Sequence, residues 1–307
     1  MSLWMRTTAF CVMVCVEISC LDLWYLLSEK QRVDGPLYAA HAAWDNRDLS
    51  SRLCVADSRR SVLFGVFSTA AKLAVRDATR QQVQCGLNSN GHSTVFVVGA
   101  PRTANEHESM RAESAMHGDI FTLTCDENMN EGKTYIYFKE ALQQLPCFDF
   151  YAKVDDDTAF APPRLAAVIR SVSTDMPLLV GRRATGDPTW LLFLKWIRYG
   201  FRDFSWTQHL QNYTAGMLYV LNEQAMKQWI ALNPTQLYGD EDFRTTYFMQ
   251  LIGARVINLG TSFHDHIKSD SGWKLEITNA SLAVHRCKSP QMLSDAFASL
   301  CVTQEVV

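Results

Sequence analysis

The chain has 307 residues, 48% of them hydrophobic and 20% charged, with a formal net charge of −3. That composition suits one large α/β domain or two small ones with a sizeable core. A near-neutral balance without a Lys/Arg run lacks the clustered basic footprint that nucleic acid requires, so no nucleic-acid partner is expected.

In chain order, residues 1–6 lead into an apolar segment, Thr7–Leu27, about long enough to cross a bilayer core of ~30 Å. Glu17 and Asp22 interrupt it, and an Asp at mid-bilayer costs about 2.5–3.5 kcal/mol. A signal anchor, a cleaved signal peptide built on Ala9–Val16 and an ordinary buried helix all fit the segment. Residues 28–60 are polar and charged without sustained periodicity, and read as a stem. From residue 61 the pattern changes. Ser61–Phe67, Thr94–Val98, Asp119–Leu123 and Phe148–Val154 are short runs rich in β-formers, with helical candidates at Thr69–Gln84, Glu106–His117 and Glu131–Leu145 between them. This alternation predicts a largely parallel sheet covered on both faces. The second half predicts strands at Pro177–Gly181, Met217–Leu221 and Arg255–Leu259, and helices at Glu223–Leu232, Glu241–Ile252 and Ser289–Leu300. No linker interrupts 61–307, which therefore reads as a single domain.

Of nine cysteines, Cys11, Cys15 and Cys20 lie in the apolar segment. The other six (Cys54, Cys85, Cys125, Cys147, Cys287, Cys301) are dispersed without a CxxC pair, which argues against zinc ribbons and thioredoxin-like motifs. Their even number permits disulfides in an oxidising lumen, and equally free buried thiols. The sequons Asn212-Tyr-Thr214 and Asn279-Ala-Ser281 fit a secretory route.

The chemistry concentrates in YAKVDDDTAF, residues 151–160. Ligand sites in open parallel sheets gather beyond the carboxyl ends of strands. Strand alternation sends Asp155 and Asp157 to one side. Two hard oxygen ligands there suit Mg²⁺ or Mn²⁺, and a cation would relieve the repulsion among three carboxylates. A solvated acidic turn and a calcium loop are the other readings, although EF-hand spacing is absent. His285 follows an apolar stretch, and a lone histidine is more often a core or surface residue than a ligand. The cluster Tyr238-Gly-Asp-Glu-Asp242 heads a helix, where the macrodipole alone favours acidic residues.

Taken together in order, the segments resemble an inverting β-1,3-glycosyltransferase of glycosyltransferase family 31. VLFGVFSTAAKLAVRDATRQQ (62–82) is similar to that family's opening strand and "RRxAIRxTW" helix, with Arg76 and Arg80 in the arginine positions. HGDIFTLTCDENMNEGKTYIYFKEAL (117–142) resembles its "GDI…D…Y…LT.KT" block, and YAKVDDDTAF its "KxDDDxF" motif. YTAGMLYVL (213–221), EDFRTTYFMQLIG (241–253) and LAVHRCKSPQMLSDAFASL (282–300) resemble "YxSGxGYVLS", "EDVxxGxxLxxLG" and "VHxxKPxEMxxxW". The ENMNEGKT stretch is also similar to trypanosomatid members. The resemblance covers roughly residues 62–300.

It implies an α/β fold of the GT-A nucleotide-sugar-binding type, a mixed central sheet flanked by helices. It also implies a UDP-sugar donor carrying galactose or N-acetylglucosamine, Mn²⁺ (or Mg²⁺), and a glycan acceptor on glycoprotein or glycolipid. Residue by residue, it makes Asp157 and His285 metal ligands and turns Asp155 toward the ribose or a metal-bound water. Asp156 becomes a supporting residue on the nucleotide side. Arg76, Arg80, Asp119 and Lys133 match donor-side positions, and Asp242 matches the general base. Such enzymes are Golgi proteins with one signal anchor. By that analogy residues 1–6 are a cytosolic tail, 7–27 a type II membrane anchor, 28–60 a stem and 61–307 a lumenal catalytic domain. Two segments depart from the pattern: Phe243-Arg-Thr-Thr246 lacks the expected glycine, and Ala215-Gly-Met-Leu-Tyr219 replaces "SGxGY". These are acceptor-side regions, so acceptor identity does not carry over. An inactive glycan-binding relative and a metal-dependent phosphohydrolase are the competing functions.

Overall fold

The computed structural model describes residues 46–54, 60–83, 92–172, 175–185, 212–234, 241–266 and 277–302. All belong to one compact unit formed by residues 40–185 and 212–307. The segment Thr7–Leu27 lies outside the described residues, among which no helix is long and apolar enough to cross a membrane.

The first half runs α1 (Arg47–Leu53), β1 (Arg60–Phe67), α2 (Leu73–Val83), β2 (His92–Val98), α3 (Ala104–His117), β3 (Ile120–Thr122), α4 (Lys133–Gln144), β4 (Phe148–Asp155), β5 (Ala159–Phe160) and α5 (Pro162–Arg170). The second half runs β6 (Leu178–Thr185), β7 (Asn212–Asn222), α6 (Glu223–Leu232), α7 (Glu241–Leu251), β8 (Arg255–Asn258), β9 (Phe263–Asp265), β10 (Ala283–His285) and α8 (Pro290–Val302). Seven strands form one sheet in the order β3-β2-β1-β4-β7-β6-β8, and β5-β10-β9 form a second. β1 to β4 are mutually parallel, whereas β7 runs antiparallel to both β4 and β6.

β1 is apolar on both sides because both are covered, as expected of a central parallel strand. Val62, Phe64 and Val66 point into a core shared with Leu165 and Ile169 of α5 and Leu293 and Phe297 of α8. On the opposite face Phe67 meets Tyr137 of α4 edge-on at 5.2 Å, and Phe138 packs on Tyr219 and on Trp229 of α6. The Tyr137 side chain occupies the space a side chain at Gly65 would need, its hydroxyl oxygen 2.4 Å from the ideal Cβ position, and that hydroxyl donates to the Ala152 carbonyl at 3.0 Å. A glycine in β1 thus lets a buried aromatic bridge two strands. The result is the mixed sheet flanked by helices that the family resemblance implies, with β7 running against the largely parallel sheet that the alternation of elements predicts.

Three features differ from the sequence reading. The end of the stretch read as a stem is a docked helix, α1. Asn46 donates to Thr122 O at 3.0 Å and Gln144 Oε1 at 2.9 Å, and Cys54 is disulfide-bonded to Cys147. Seven residues are too few to show helical periodicity, so the helix depends on its anchors. α5 opens on Pro162-Pro163, residues that preset the first helical turn and that also occur in loops. The strands of the second sheet span two or three residues, below the length at which alternation can be read. Of the other dispersed cysteines, Cys125, Cys287 and Cys301 are free thiols, and Cys85 lies outside the described residues.

Candidate active site

The carboxylate run sits in the turn that leaves β4, closed by Thr158 N donating to Asp155 O at 3.0 Å. The chain then enters β5, which pairs antiparallel with β10 (Ala283↔Phe160, Val284↔Ala159). Cys287 N donates to Asp157 O at 2.9 Å, extending the pairing past the strands. This local register carries His285 across 128 residues of sequence to the aspartates. Its Nε2 lies 3.3 Å from Asp157 Oδ1 and 3.9 Å from Asp155 Oδ2. Arg286 turns the chain away at φ 61, a left-handed conformation rare outside glycine, and pairs with Asp265 of β9 at 3.0 Å.

One ligand atom from each of Asp155, Asp157 and His285 falls within 4.8 Å of the other two. Ligands about 2.1 Å from a single ion stand roughly 3.0–3.4 Å apart in octahedral or tetrahedral geometry. His285 and Asp157 already stand at that spacing and Asp155 lies somewhat wider; two carboxylates and an imidazole are a donor set that fits a divalent cation, with oxygens that suit Mg²⁺ and Mn²⁺ and a nitrogen that Mn²⁺ also accepts.

Each aspartate also has a cation of its own. Lys153 Nζ lies 2.6 Å from Asp155 Oδ1, Lys72 donates to Asp156 Oδ1 at 2.9 Å, and Lys288 donates to Asp157. Burial raises the Asp157 pKa, but hydrogen bonds and charge from His285 and Lys288 outweigh it and hold the carboxyl below the usual range. Asp156 goes the other way: burial lifts its pKa, and Lys72 offsets only part of that. Lys153 is buried, which favours its neutral form, yet Asp155 and Glu241 hold its pKa above the ordinary lysine value.

Beside the cluster opens a cavity of about 270 Å³, lined by Phe67, Ser68, Lys72, Glu127, Lys133 and the three aspartates among others. Lys133, 1% exposed, donates to Ser68 O at 2.8 Å and to Glu127. Burial lowers its pKa, with Glu127 opposing. Glu127 in turn accepts from Gly99 N at 2.7 Å, tying the loop after β2 to the wall.

The other expected donor-side residues lie apart. Arg76 is buried behind the wall. It grips Glu113 through two bonds of 2.7 and 2.6 Å and donates to Ser68 Oγ, Thr69 O and Ala70 O. Arg80 and Asp119 pair with each other through two bonds of 2.8 Å. They line a larger cleft of about 770 Å³ that also takes in His92 to Thr94 at the start of β2. Because β2, β3 and β4 are parallel, this cleft is at the end of the sheet opposite the carboxylates. Its size gives it no share in the cluster's chemistry.

Asp242 stands in the first turn of α7 and reaches the same end of the sheet as the cluster. A Cβ placed on Gly216 would meet Glu241 Oε2 at 3.2 Å, Asp242 Cβ at 3.3 Å and Lys153 Nζ at 3.5 Å. Glu241 accepts from Lys153 at 3.1 Å and from the Tyr219 hydroxyl. Lys72, Lys153, Lys288, Glu241 and Glu127 are site residues that sequence reasoning passed over. Lys153 was in view two places before Asp155, but nothing local marks a buried lysine as a bridge.

The sequence matches the family described as Galactosyltransferase over residues 76–259, more than half of the chain and including Asp155–Asp157 and Asp242. The chain belongs to this family. No curated protein matches it. Among solved structures it is similar to the galactosyltransferase LgtC in complex with donor and acceptor sugar analogs (13% identity, 80% of this chain and 97% of that chain, TM-score 0.44). It is also similar to the mannosyltransferase PcManGT from Pyrobaculum calidifontis in complex with GDP-Man and Mn²⁺ (15% identity, 81% of this chain, 65% of that chain, TM-score 0.40). Likeness of this degree says nothing about substrate.

Proposed function

We propose that this galactosyltransferase-family protein transfers a hexose, galactose or N-acetylglucosamine, from a UDP-sugar to a glycan hydroxyl with inversion, forming a β-1,3 linkage. The observation that carries the reading is the Asp155/Asp157/His285 triad beside the cavity, with Asp242 brought to the same end of the sheet. Asp157 and His285 would hold a divalent cation, Mn²⁺ or Mg²⁺, which would supply Lewis-acid stabilisation to the departing diphosphate. Asp155 holds the nucleotide side of the pocket. Lys72 and Lys133 add positive charge to its wall. Asp242 takes the proton of the acceptor hydroxyl as it attacks the anomeric carbon, a contribution of roughly 10²–10⁴ in rate. A single displacement assisted by one base converts an α-linked donor into a β-linked product. The proposed setting is the Golgi membrane with the domain lumenal, and the Cys54–Cys147 disulfide fits an oxidising compartment.

The test is a Mn²⁺-supplemented donor screen on the wild type and on Asp242→Asn. The variant is expected to bind donor and metal normally while transfer nearly disappears. Lost donor affinity with normal turnover would remove Asp242 from the role of base. Free sugar released at the same rate with and without acceptor would make the protein a hydrolase.

A further inference from the structure

Lys153 and Glu241 have no role in the reading above, yet they link Asp155 to the helix that carries Asp242. Lys153 is 1% exposed and extends from β4, two residues before the carboxylate turn. Its ammonium donates to Glu241 Oε2 at 3.1 Å and to the Gly216 carbonyl, and forms an ion pair with Asp155 Oδ1 at 2.6 Å. Glu241 is held from both sides, because its second oxygen accepts from the Tyr219 hydroxyl, which also lies 3.1 Å from Thr245 Oγ1.

We propose that Lys153 and Glu241 are positioning residues: their buried bridge docks the first turn of α7 against β4 and so sets where the Asp242 carboxylate stands relative to Asp155 and Asp157. The proposal rests on the reading of Asp242 as base. The helix macrodipole explains an acidic residue at the start of α7, but not one buried against a lysine from another element. Stability does not explain it either, since replacing a buried ion pair by apolar residues of similar volume is often neutral or favourable. A bridge of fixed geometry between two rigid elements does explain it, because reacting groups must be held within about 0.5 Å of the productive arrangement. Gly216 belongs to the same device. A side chain there would press on Glu241 Oε2 and Asp242 Cβ, so the glycine lets α7 approach β7 closely enough for Lys153 to span the gap.

The experiment compares full-length wild type with Glu241→Gln and Tyr219→Phe, reading kcat, donor KM and the Mn²⁺ concentration for half-maximal rate. Gln keeps the size of Glu241 and can still accept one hydrogen bond, but it removes the charge facing Lys153. Small displacements of reacting groups cost orders of magnitude in rate, so kcat of Glu241→Gln should fall by about tenfold or more, with donor KM and Mn²⁺ requirement within about twofold of wild type. Tyr219→Phe releases one side of the clamp and should lower kcat less, again at constant KM; it decides the matter if Glu241→Gln fails to fold. Unchanged kcat in both variants, or a loss spread equally over turnover and donor affinity, overturns the proposal. A wild type that transfers no sugar overturns the transferase reading instead, which keeps the two failures apart.

Discussion

Arg76 offers a sharp test of how the pocket wall is held. Its guanidinium makes two bonds to Glu113 and three to the Ser68–Ala70 segment, and two residues of that segment, Ser68 and Thr69, line the cavity. Arg76→Met fills similar volume but strips all five bonds. Breaking one side of a buried ion pair costs about 3–5 kcal/mol. Arg80 still reaches Glu113 Oε1 at 2.6 Å, so the lower figure applies. In a domain of this size about 3 kcal/mol lowers the melting midpoint by roughly 6–12 °C. The assay is a thermal melt paired with a donor titration at a temperature where the variant is folded. Arg76 acting from behind the wall predicts a lower midpoint together with weaker donor binding, because Ser68 and Thr69 lose their support. A normal midpoint with donor affinity abolished would refute this account and make Arg76 a direct donor ligand.

Two further outcomes concern stability. Burial raises the Glu113 pKa, but Arg76 and Arg80 outweigh it and leave the folded value below the ordinary 4.5. The stabilisation is therefore complete above pH 4.5 and is lost as pH falls through the lower folded value; denaturant midpoints should decline over that range, less steeply in Glu113→Gln. The Cys54–Cys147 bond spans 93 residues, a loop for which chain entropy gives about 4–5 kcal/mol. Reductant should lower the wild-type melting midpoint and leave that of a Cys54→Ser/Cys147→Ser double variant unmoved; equal wild-type midpoints with and without reductant would show that the bond adds nothing.

The elements legible in the sequence are those whose own residues report their surroundings. β1, β2 and β4 are apolar runs because the sheet is covered on both faces, and α4, α6 and α7 show helical spacing within two residues of their observed ends. The elements that escaped are specified by distant partners. α1 depends on Thr122, Gln144 and Cys147. β10 has three residues and exists because β5 and β9 flank it, yet it places His285. Within the site, the aspartates could be found because three carboxylates in a row are conspicuous. Their cations could not: Lys72, Lys153 and Lys288 lie on separate segments, and each is an ordinary lysine until the fold brings it to its carboxylate.

Those three lysines are not equivalent, and the difference bears on how a cation could enter. Lys153 is buried and fully engaged, so its hold on Asp155 persists whatever else binds. Lys288 has 62% of its side chain exposed and makes its ion pair with Asp157 at the surface, where such pairs contribute only about 0.2–1 kcal/mol. It is therefore a weakly held counter-charge, and on the proposed reading a divalent cation would compete with it for the carboxylate. Lys288→Met removes that competitor, and the affinity of Asp157 for a divalent ion should rise by up to about fivefold, the equivalent of 1 kcal/mol. Calorimetric titration of the full-length protein with Mn²⁺ alone reads this directly, without donor or turnover. A weaker Mn²⁺ affinity in Lys288→Met would show the reverse relation, in which the lysine holds Asp157 in its ligating position instead of competing for it.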